Sequence, residues 1–150
     1  MTYNKEMLLV GALECCDLPE LELSQVQMRV DTGAATSSLH VDNIDKFTKD
    51  GKQWVNFDIH PDAHDVDRIV NKTLLLKGVK TVKSSSADKE KRIVIKTIIR
   101  LSGQEWPIKL TLTDRSSMKN LMLLGREAMA GHILVDPSRV FLVSDESSVK

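Results

Sequence analysis

Residues 92–113 constrain the fold most strongly, because apolar and polar residues alternate there on both sides of a turn at Ser102-Gly103. Alternation with a period of two is typical of a β-strand with one buried face, and a short glycine turn joins two such strands. The segment therefore predicts an antiparallel hairpin. Its inward positions are Ile93, Ile95, Ile99 and Leu101 before the turn, and Trp106, Ile108, Leu110 and Leu112 after it.

Shorter apolar runs recur along the rest of the chain and predict further strands. Residues 69–83 contain two such runs that break at Lys77-Gly78, which predicts a second hairpin. About eight short strands with one short helix near 126–131 predict a mainly-β fold, a closed or partly closed barrel. The other predicted strands cover residues 7–13, 25–32, 36–41, 53–59, 133–136 and 140–143.

The length of 150 residues favours one domain that spans 1–150. The polar tail 144–150 is predicted to be disordered, and the small polar residues 84–91 predict a mobile loop. Lysine plus arginine and aspartate plus glutamate number 21 each, so no global field favours nucleic acid or an anionic membrane.

The chain has no apolar run that approaches the ~20 residues of a membrane span. Its two cysteines, Cys15 and Cys16, are adjacent, and a disulfide between neighbouring residues would be strained. We therefore expect a protein of the reducing cytoplasm.

A possible catalytic motif follows the strand predicted at 25–32. Val26, Met28 and Val30 alternate along one face, and Asp31 falls on the polar face, directly before Thr32-Gly33. A carboxylate there could activate water, and the glycine would let the chain turn tightly beside a substrate. Much later, residues 121–127 read as apolar residues followed by Gly125 and Arg126.

With these two elements the chain resembles the retropepsin-like aspartic proteases. It most closely resembles a bacterial family labelled ATP-dependent zinc proteases, which is associated with the enzyme that adds glutamates to a ribosomal-protein tail. The resemblance implies the retropepsin-like fold and an aspartic endopeptidase activity. The matching segments lie between residues 8 and 143, and the most specific are Asp31-Thr32-Gly33-Ala34 and Leu123-Leu124-Gly125-Arg126-Glu127.

The resemblance also implies roles for individual residues. Asp31 would be the catalytic acid, and Thr32 would hydrogen-bond across a dimer axis. Thr36 would orient Asp31, and Arg126 would form an ion pair, with an acceptor that the sequence does not identify. The residues implied to support the acid are Thr32, Gly33, Ala34, Thr36, Leu124, Gly125 and Arg126.

An aspartic peptidase needs two carboxylates that share one proton around a water molecule. The sequence contains one Asp-Thr-Gly, so the simplest arrangement is a homodimer that brings Asp31 of each chain to a two-fold axis. A dimer of the same fold that binds peptides without cleaving them remains an alternative.

The zinc label suggests a second alternative, a zinc-dependent peptidase that uses His60 and His64. Their spacing of four residues fits a pair of metal ligands on a helix, but Pro61 and the missing glutamate depart from the known motif. The chain also lacks a glycine-rich phosphate-binding loop, so nothing supports the use of ATP. Since the zinc motif is incomplete as well, we expect neither a metal nor another cofactor.

Residues 60–92 are expected to cover the cleft as a flap, and several basic residues would lie around it. Arginine forks pair well with carboxylates, so a basic cleft would accept an acidic peptide or a glutamylated protein tail. The candidate substrate-binding residues are Arg29, Lys83, Arg92 and Arg115.

Overall fold

The structure is a computed structural model that describes residues 6–61, 68–83, 89–114 and 120–145. Within these ranges the chain forms eleven strands, a single turn of 3₁₀ helix at Pro19–Leu21 and one short α-helix, α1 (Arg126–Met129), so the predicted mainly-β fold is confirmed. The strands are β1 (Leu8–Val10), β2 (Leu13–Leu18), β3 (Leu23–Val30), β4 (Ser37–Lys49), β5 (Lys52–Ile59), β6 (Val70–Leu75), β7 (Gly78–Lys83), β8 (Lys89–Leu101), β9 (Gln104–Asp114), β10 (Met122–Leu124) and β11 (Ile133–Val135).

The predicted central hairpin is present as β8 and β9. The two strands pair antiparallel from Val94–Thr111 to Leu101–Gln104, and Ser102 and Gly103 form the turn with positive φ angles of 51° and 79°. The predicted inward residues are all buried. Period-two alternation was therefore sufficient to predict this hairpin and its inner face.

Six strands join in a closed ring of hydrogen-bonded pairs, in the order β10-β3-β2-β8-β9-β4 and back to β10. The short strand β10 closes the ring, because it pairs parallel with β3 and antiparallel with β4. Strands β5 and β6 extend the sheet from β4, β7 pairs with β8, and β1 and β11 form a separate parallel pair. The predicted closed arrangement is thus present among the described residues.

The buried side chains form one hydrophobic core, contributed by the inner face of the hairpin and by the strands that flank the predicted motif. Strand β3 shows how the core positions Asp31: Val26, Met28 and Val30 are buried, whereas Arg29 is exposed. Burial of alternate residues fixes the register of this strand, since a slip by one residue would expose all three. Asp31 therefore emerges at the end of β3.

The prediction of a second hairpin at residues 69–83 is wrong. Strand β6 pairs with β5, and β7 pairs with β8. The switch occurs between two adjacent amides: that of Leu76 donates to the carbonyl of Gln53 over 3.0 Å, and that of Lys77 to the carbonyl of Val94 over 2.8 Å. Both runs are strands as predicted, but each finds a partner other than its neighbour.

Other predicted boundaries also differ. The strand predicted at 7–13 is divided between β1 and β2, and residues 140–143 are not a strand, since the amides of Leu142 and Val143 donate to the buried carboxylate of Glu14. Of the predicted loop 84–91, residues 89–91 belong to β8 and 84–88 lie outside the described residues. In the predicted tail, the Ser144 hydroxyl donates to Glu14 over 2.6 Å, and residues 146–150 lie outside the described part.

Within the described ranges, no helix has both the length and the apolar character that are needed to cross a bilayer. The cytoplasmic location stays a prediction.

Candidate active site

Asp31 lies in a tight turn that its own backbone stabilises. The Gly33 amide donates to Asp31 Oδ1 over 2.9 Å, and the Ala34 amide donates to the Asp31 carbonyl over 3.2 Å. Asp31 is partly buried, whereas Thr32 and Gly33 are exposed. One carboxylate oxygen is thus held by the turn.

Strand β10 holds this turn in place through its backbone. It lies between β3 and β4, with Leu124 opposite Val30 and Leu123 opposite Ser38. The carbonyl of Leu124, whose side chain is fully buried, accepts a hydrogen bond of 2.9 Å from the Asp31 amide. The two sequence elements that suggested a site are therefore joined directly in the fold.

Gly125 lies against the segment that leaves the turn. A Cβ atom at this position would be 2.5 Å from the carbonyl oxygen of Thr36 and 3.0 Å from that of Ala34. The Gly125 amide donates to the hydroxyl of the buried Ser37 over 3.0 Å. The next amide, that of Arg126, donates to the Ala34 carbonyl over 2.8 Å. Only glycine permits this approach of the two backbones.

Ser37 is a site residue that the sequence analysis missed. It is 2% exposed and supplies the acceptor for the Gly125 amide. A serine next to the apolar residues of a strand indicates a buried hydroxyl, which requires a partner. The sequence gives no indication that this partner is a backbone amide near the other end of the chain.

The guanidinium of Arg126 lies beside the active turn. Its Nη1 atom donates to the carbonyl oxygens of Gly33 over 3.2 Å and Thr32 over 3.4 Å. Among the described residues of the chain, its partners are these carbonyls and not a carboxylate. An ion pair with a second subunit stays a prediction.

The far side of α1 is fixed by Trp106. Its indole nitrogen donates to the Ala128 carbonyl over 2.9 Å, and its ring stacks on His132 at a centroid distance of 4.3 Å. A helix of one turn is not stable by itself, so this contact with the hairpin β8–β9 holds α1, and with it Arg126, in place.

A pocket of about 680 Å³ opens beside Asp31. Strand β7 and the start of β8 form its opposite wall through Lys80, Thr81, Val82 and Arg92. These residues fall within the predicted flap 60–92, whose residues 62–67 and 84–88 lie outside the described part of the chain. The active turn contributes Asp31, Gly33, Ala34, Ala35 and Thr36, and Ser38 and Leu123 complete the lining.

The predicted substrate-binding residues are not all at this pocket. Arg92 lines it and also contacts Glu90 over 3.2 Å, whereas Arg29 is exposed on β3 and is not among the lining residues. Lys83 ends β7, but its side chain and the whole of Arg115 lie outside the described residues. Lys80 is a further cation that lines the pocket.

The histidines of the zinc alternative are only partly described. His60 Nε2 lies 3.0 Å from the Asp42 carboxylate, and His64 lies outside the described residues. In the part of the chain that is described, no group of three or more histidine, cysteine, aspartate or glutamate side chains could hold a metal ion.

Comparison with known proteins finds sequence relatives, a similar solved structure and a matching family model. It is 40% identical over 150 residues to a probable alpha-L-glutamate ligase of Shewanella pealeana, and 44% identical over 130 residues, 87% of the chain, to one of Parasynechococcus marenigrum. The chain covers 32% and 28% of these proteins, so it spans about a third of the length of the relatives it matches.

Among solved structures, a protein of unknown function from Legionella pneumophila superposes with a TM-score of 0.75 at 28% identity, over 92% of this chain and 99% of that one. The family model described as retropepsin-like aspartic endopeptidase RimB matches residues 9–146, which include both elements of the site. The chain therefore belongs to the RimB-like family of retropepsin-like aspartic endopeptidases.

Proposed function

We propose that the domain is an aspartic peptidase that acts as a homodimer and trims acidic or glutamylated peptide tails. The observation that carries this proposal is the position of Asp31. Its carboxylate lies at the wall of a pocket, in a turn fixed by Gly33 and by the Leu124 carbonyl. Membership of a family described as aspartic endopeptidases supports the same chemistry.

In this chemistry, two carboxylates would hold one water molecule between them. Because two like charges at ~3 Å cannot both stay ionised, the pair shares one proton. The ionised carboxylate takes a proton from the water, whose oxygen then attacks the peptide carbonyl carbon. The protonated carboxyl donates a hydrogen bond to the carbonyl oxygen, and the C–N bond breaks once the leaving nitrogen has accepted a proton.

The second carboxylate would come from another copy of the chain. Asp31 is the one acidic residue among the described residues that line its pocket. Thr32 and Gly33, next to it, are exposed and available for contact. A two-fold axis near this turn would bring two Asp31 side chains together and would place Thr32 of each chain against its counterpart.

The charges of the pocket favour an acidic substrate. Lys80 and Arg92 line the wall opposite Asp31, although the chain as a whole has no net charge. Relatives that contain a matching domain are named probable alpha-L-glutamate ligases. A peptidase domain associated with glutamate addition would act on the product of that reaction, a chain of glutamates.

The decisive experiment compares the parent with Asp31→Asn on an oligoglutamate peptide, with and without a chelator. We expect the substitution to lower kcat by about 10²–10⁴-fold, as loss of a general base does, and the chelator to have no effect. Inhibition by the chelator alone would instead select the zinc-dependent peptidase that uses His60 and His64.

Mixing the two proteins tests the shared site. After subunit exchange in an equal mixture, the parent chains should retain roughly half of their activity, because half of them are paired with an inactive partner. If the mixture has the full activity of the parent chains that it contains, and light scattering gives a monomeric mass, the proposed homodimer is contradicted.

A dimer of the same fold that binds peptides without cleaving them is the second candidate, because the relatives are named as ligases and not as peptidases. It predicts that the parent binds oligoglutamate without turnover and that Asp31→Asn leaves the affinity unchanged. Cleavage of the peptide by the parent, lost on this substitution, would exclude it.

A further inference from the structure

A second pocket adjoins the one that contains Asp31. It has a volume of about 520 Å³ and lies between β7, β8, β9 and α1. Thr36 and Lys80 line both pockets, so the two pockets lie side by side, and we call them together the groove. Five cationic and two acidic residues line this groove, namely Lys77, Lys80, Arg92, Lys96 and Lys109, with Asp31 and Glu127.

Lys80 occupies the place where the two pockets meet. It lies on β7 opposite Arg92 of β8, and residues that are paired across two strands project on the same face of the sheet. Both line the pocket of Asp31. The face of β7 and β8 that lines this pocket therefore presents two neighbouring cations, Lys80 and Arg92.

Each of these cations contacts a carboxylate of the same chain. Lys80 Nζ lies 3.5 Å from Glu127 Oε1 on α1, and Arg92 Nη2 lies 3.2 Å from Glu90 Oε2. The side chains of Lys80 and Glu127 are 41% and 60% exposed. An exposed ion pair of this kind contributes little to stability, so another carboxylate can replace Glu127 at little cost.

The geometry points to Lys80 as a residue that sets specificity for an acidic side chain next to the cleaved bond, with Glu127 holding it in the free protein. Glu127 occupies the position of a substrate carboxylate and is displaced when an acidic peptide enters the groove. A peptide with neutral side chains gains nothing from the exchange. This inference rests on the proposed function, since it names the substrate contact of that same site.

Binding measured in the Asp31→Asn background tests the inference without cleavage. The probe is a fluorescent peptide of four glutamates, and its control carries four glutamines. We expect Lys80→Gln to weaken binding of the glutamate peptide by about two- to fivefold, the range of an exposed ion pair. Binding of the glutamine peptide should not change. Glu127→Gln should strengthen binding of the glutamate peptide by a similar factor.

The double variant Lys80→Gln/Glu127→Gln distinguishes competition from a general charge effect. If Glu127 acts through Lys80, the double variant should bind as weakly as Lys80→Gln alone. If removal of Glu127 still strengthens binding without Lys80, the carboxylate acts only through the overall charge, and the inference fails.

The pair of Lys72 and Glu22 is a matched control, because it joins the same residue types outside the groove. Glu22→Gln should not change either affinity. The inference is overturned if Lys80→Gln leaves the affinity for the glutamate peptide unchanged or if Glu127→Gln weakens it. It is also overturned if the starting protein of the series, Asp31→Asn, does not bind that peptide.

Failure of the proposed function looks different. If the parent does not cleave the glutamate peptide, the peptidase proposal fails, but the binding series still decides whether Lys80 selects acidic peptides. Thermal unfolding of every variant, compared with the starting protein, verifies that an altered affinity does not come from an unfolded domain.

Discussion

The amide of Asp31 donates to the carbonyl of Leu124 over 2.9 Å, so the turn that carries the acid is bonded to the strand that closes the ring. The next residue, Gly125, packs on the segment that leaves the same turn. The position of Asp31 therefore depends on contacts between two backbone segments, the active turn and the end of β10, and not only on neighbouring side chains. Any displacement of β10 should move Asp31.

Substitution Gly125→Ala should reduce both stability and activity. Its Cβ would lie 2.5 Å from the Thr36 carbonyl oxygen and 2.6 Å from the carbon, so one backbone must move. Overpacking of this kind typically costs about 1–3 kcal/mol. We expect thermal unfolding to begin several degrees lower and cleavage of the oligoglutamate peptide to fall.

Gly78→Ala is the control for this loss of stability. A Cβ at Gly78 would have no atom within 4 Å, and its φ angle lies outside the left-handed region. It should be neutral or should stabilise by up to about 1 kcal/mol through the unfolded state. Equal stability of both alanine variants would show that the contact between Gly125 and Thr36 relaxes easily.

Local patterns predicted the faces of the strands but not all of their partners. The alternation in β3 and in the hairpin β8–β9 correctly identified the buried residues, since period-two burial is a property of each strand alone. In contrast, β6 and β7 are adjacent in sequence and pair with β5 and β8. The hydrogen bonds of Leu76 and Lys77 to two different strands depend on distant parts of the chain.

The same limit applies to the site. Asp31 and Gly125 were predicted from the Asp-Thr-Gly motif and from the apolar-Gly-Arg segment, which resemble those of a known family. Ser37 and Glu14 were not, because each acts as an acceptor for amides that are distant in sequence. A glutamate within the apolar run of β2 was a signal of a buried acceptor, but the donors could not be read from the sequence.

Glu14→Ala should release the segment that follows β11. The Glu14 carboxylate is fully buried and accepts hydrogen bonds of 2.8 Å from the amides of Gly11 and Leu142 and of 2.6 Å from the Ser144 hydroxyl. Each donor left without an acceptor costs about 1–3 kcal/mol if it stays buried. We expect marked destabilisation and faster hydrogen exchange at Leu142 and Val143.

The exposed Glu20 provides a control for Glu14, since Glu20→Ala removes the same group from the surface. It should leave stability within about 0.5 kcal/mol of the parent. Unchanged exchange at Leu142 and Val143 in Glu14→Ala would mean that water or other groups replace the carboxylate.

Asp58 should contribute to the loss of stability in acid. Hydrogen bonds from Asn71 and Asn43, each of 2.8 Å, hold the pKa of this carboxyl below its ordinary value of 3.8. A lowered pKa in the folded state adds stability above the ordinary value, and this contribution is lost as the pH falls through the lower, folded-state pKa.

Asn71→Ala should therefore raise the pKa of Asp58 and make stability decrease less as the pH falls below the ordinary value of 3.8. Carboxyl-carbon NMR titration measures the pKa, and urea unfolding measures the stability. Thr73→Ala is the control, since Thr73 accepts its hydrogen bond from Asn56 and not from Asn71 or Asn43, the two donors to Asp58. An unshifted Asp58 titration in Asn71→Ala would contradict the assignment.

Arg126 should act on the reaction rate more than on stability. Its guanidinium is exposed and donates to the Gly33 and Thr32 carbonyls, so it restrains the turn that carries Asp31. Arg126→Ala should lower kcat by about tenfold, equivalent to about 1.4 kcal/mol, with little change in KM. Arg126→Lys should recover only part of the rate, because the ammonium of lysine is more strongly hydrated than a guanidinium and is carried on a flexible stem. Arg139→Ala, which removes an exposed arginine 3.7 Å from Asp136, should leave the rate unchanged. If Arg126→Ala instead lowers the unfolding temperature in proportion to the rate, Arg126 supports the fold and does not position the acid.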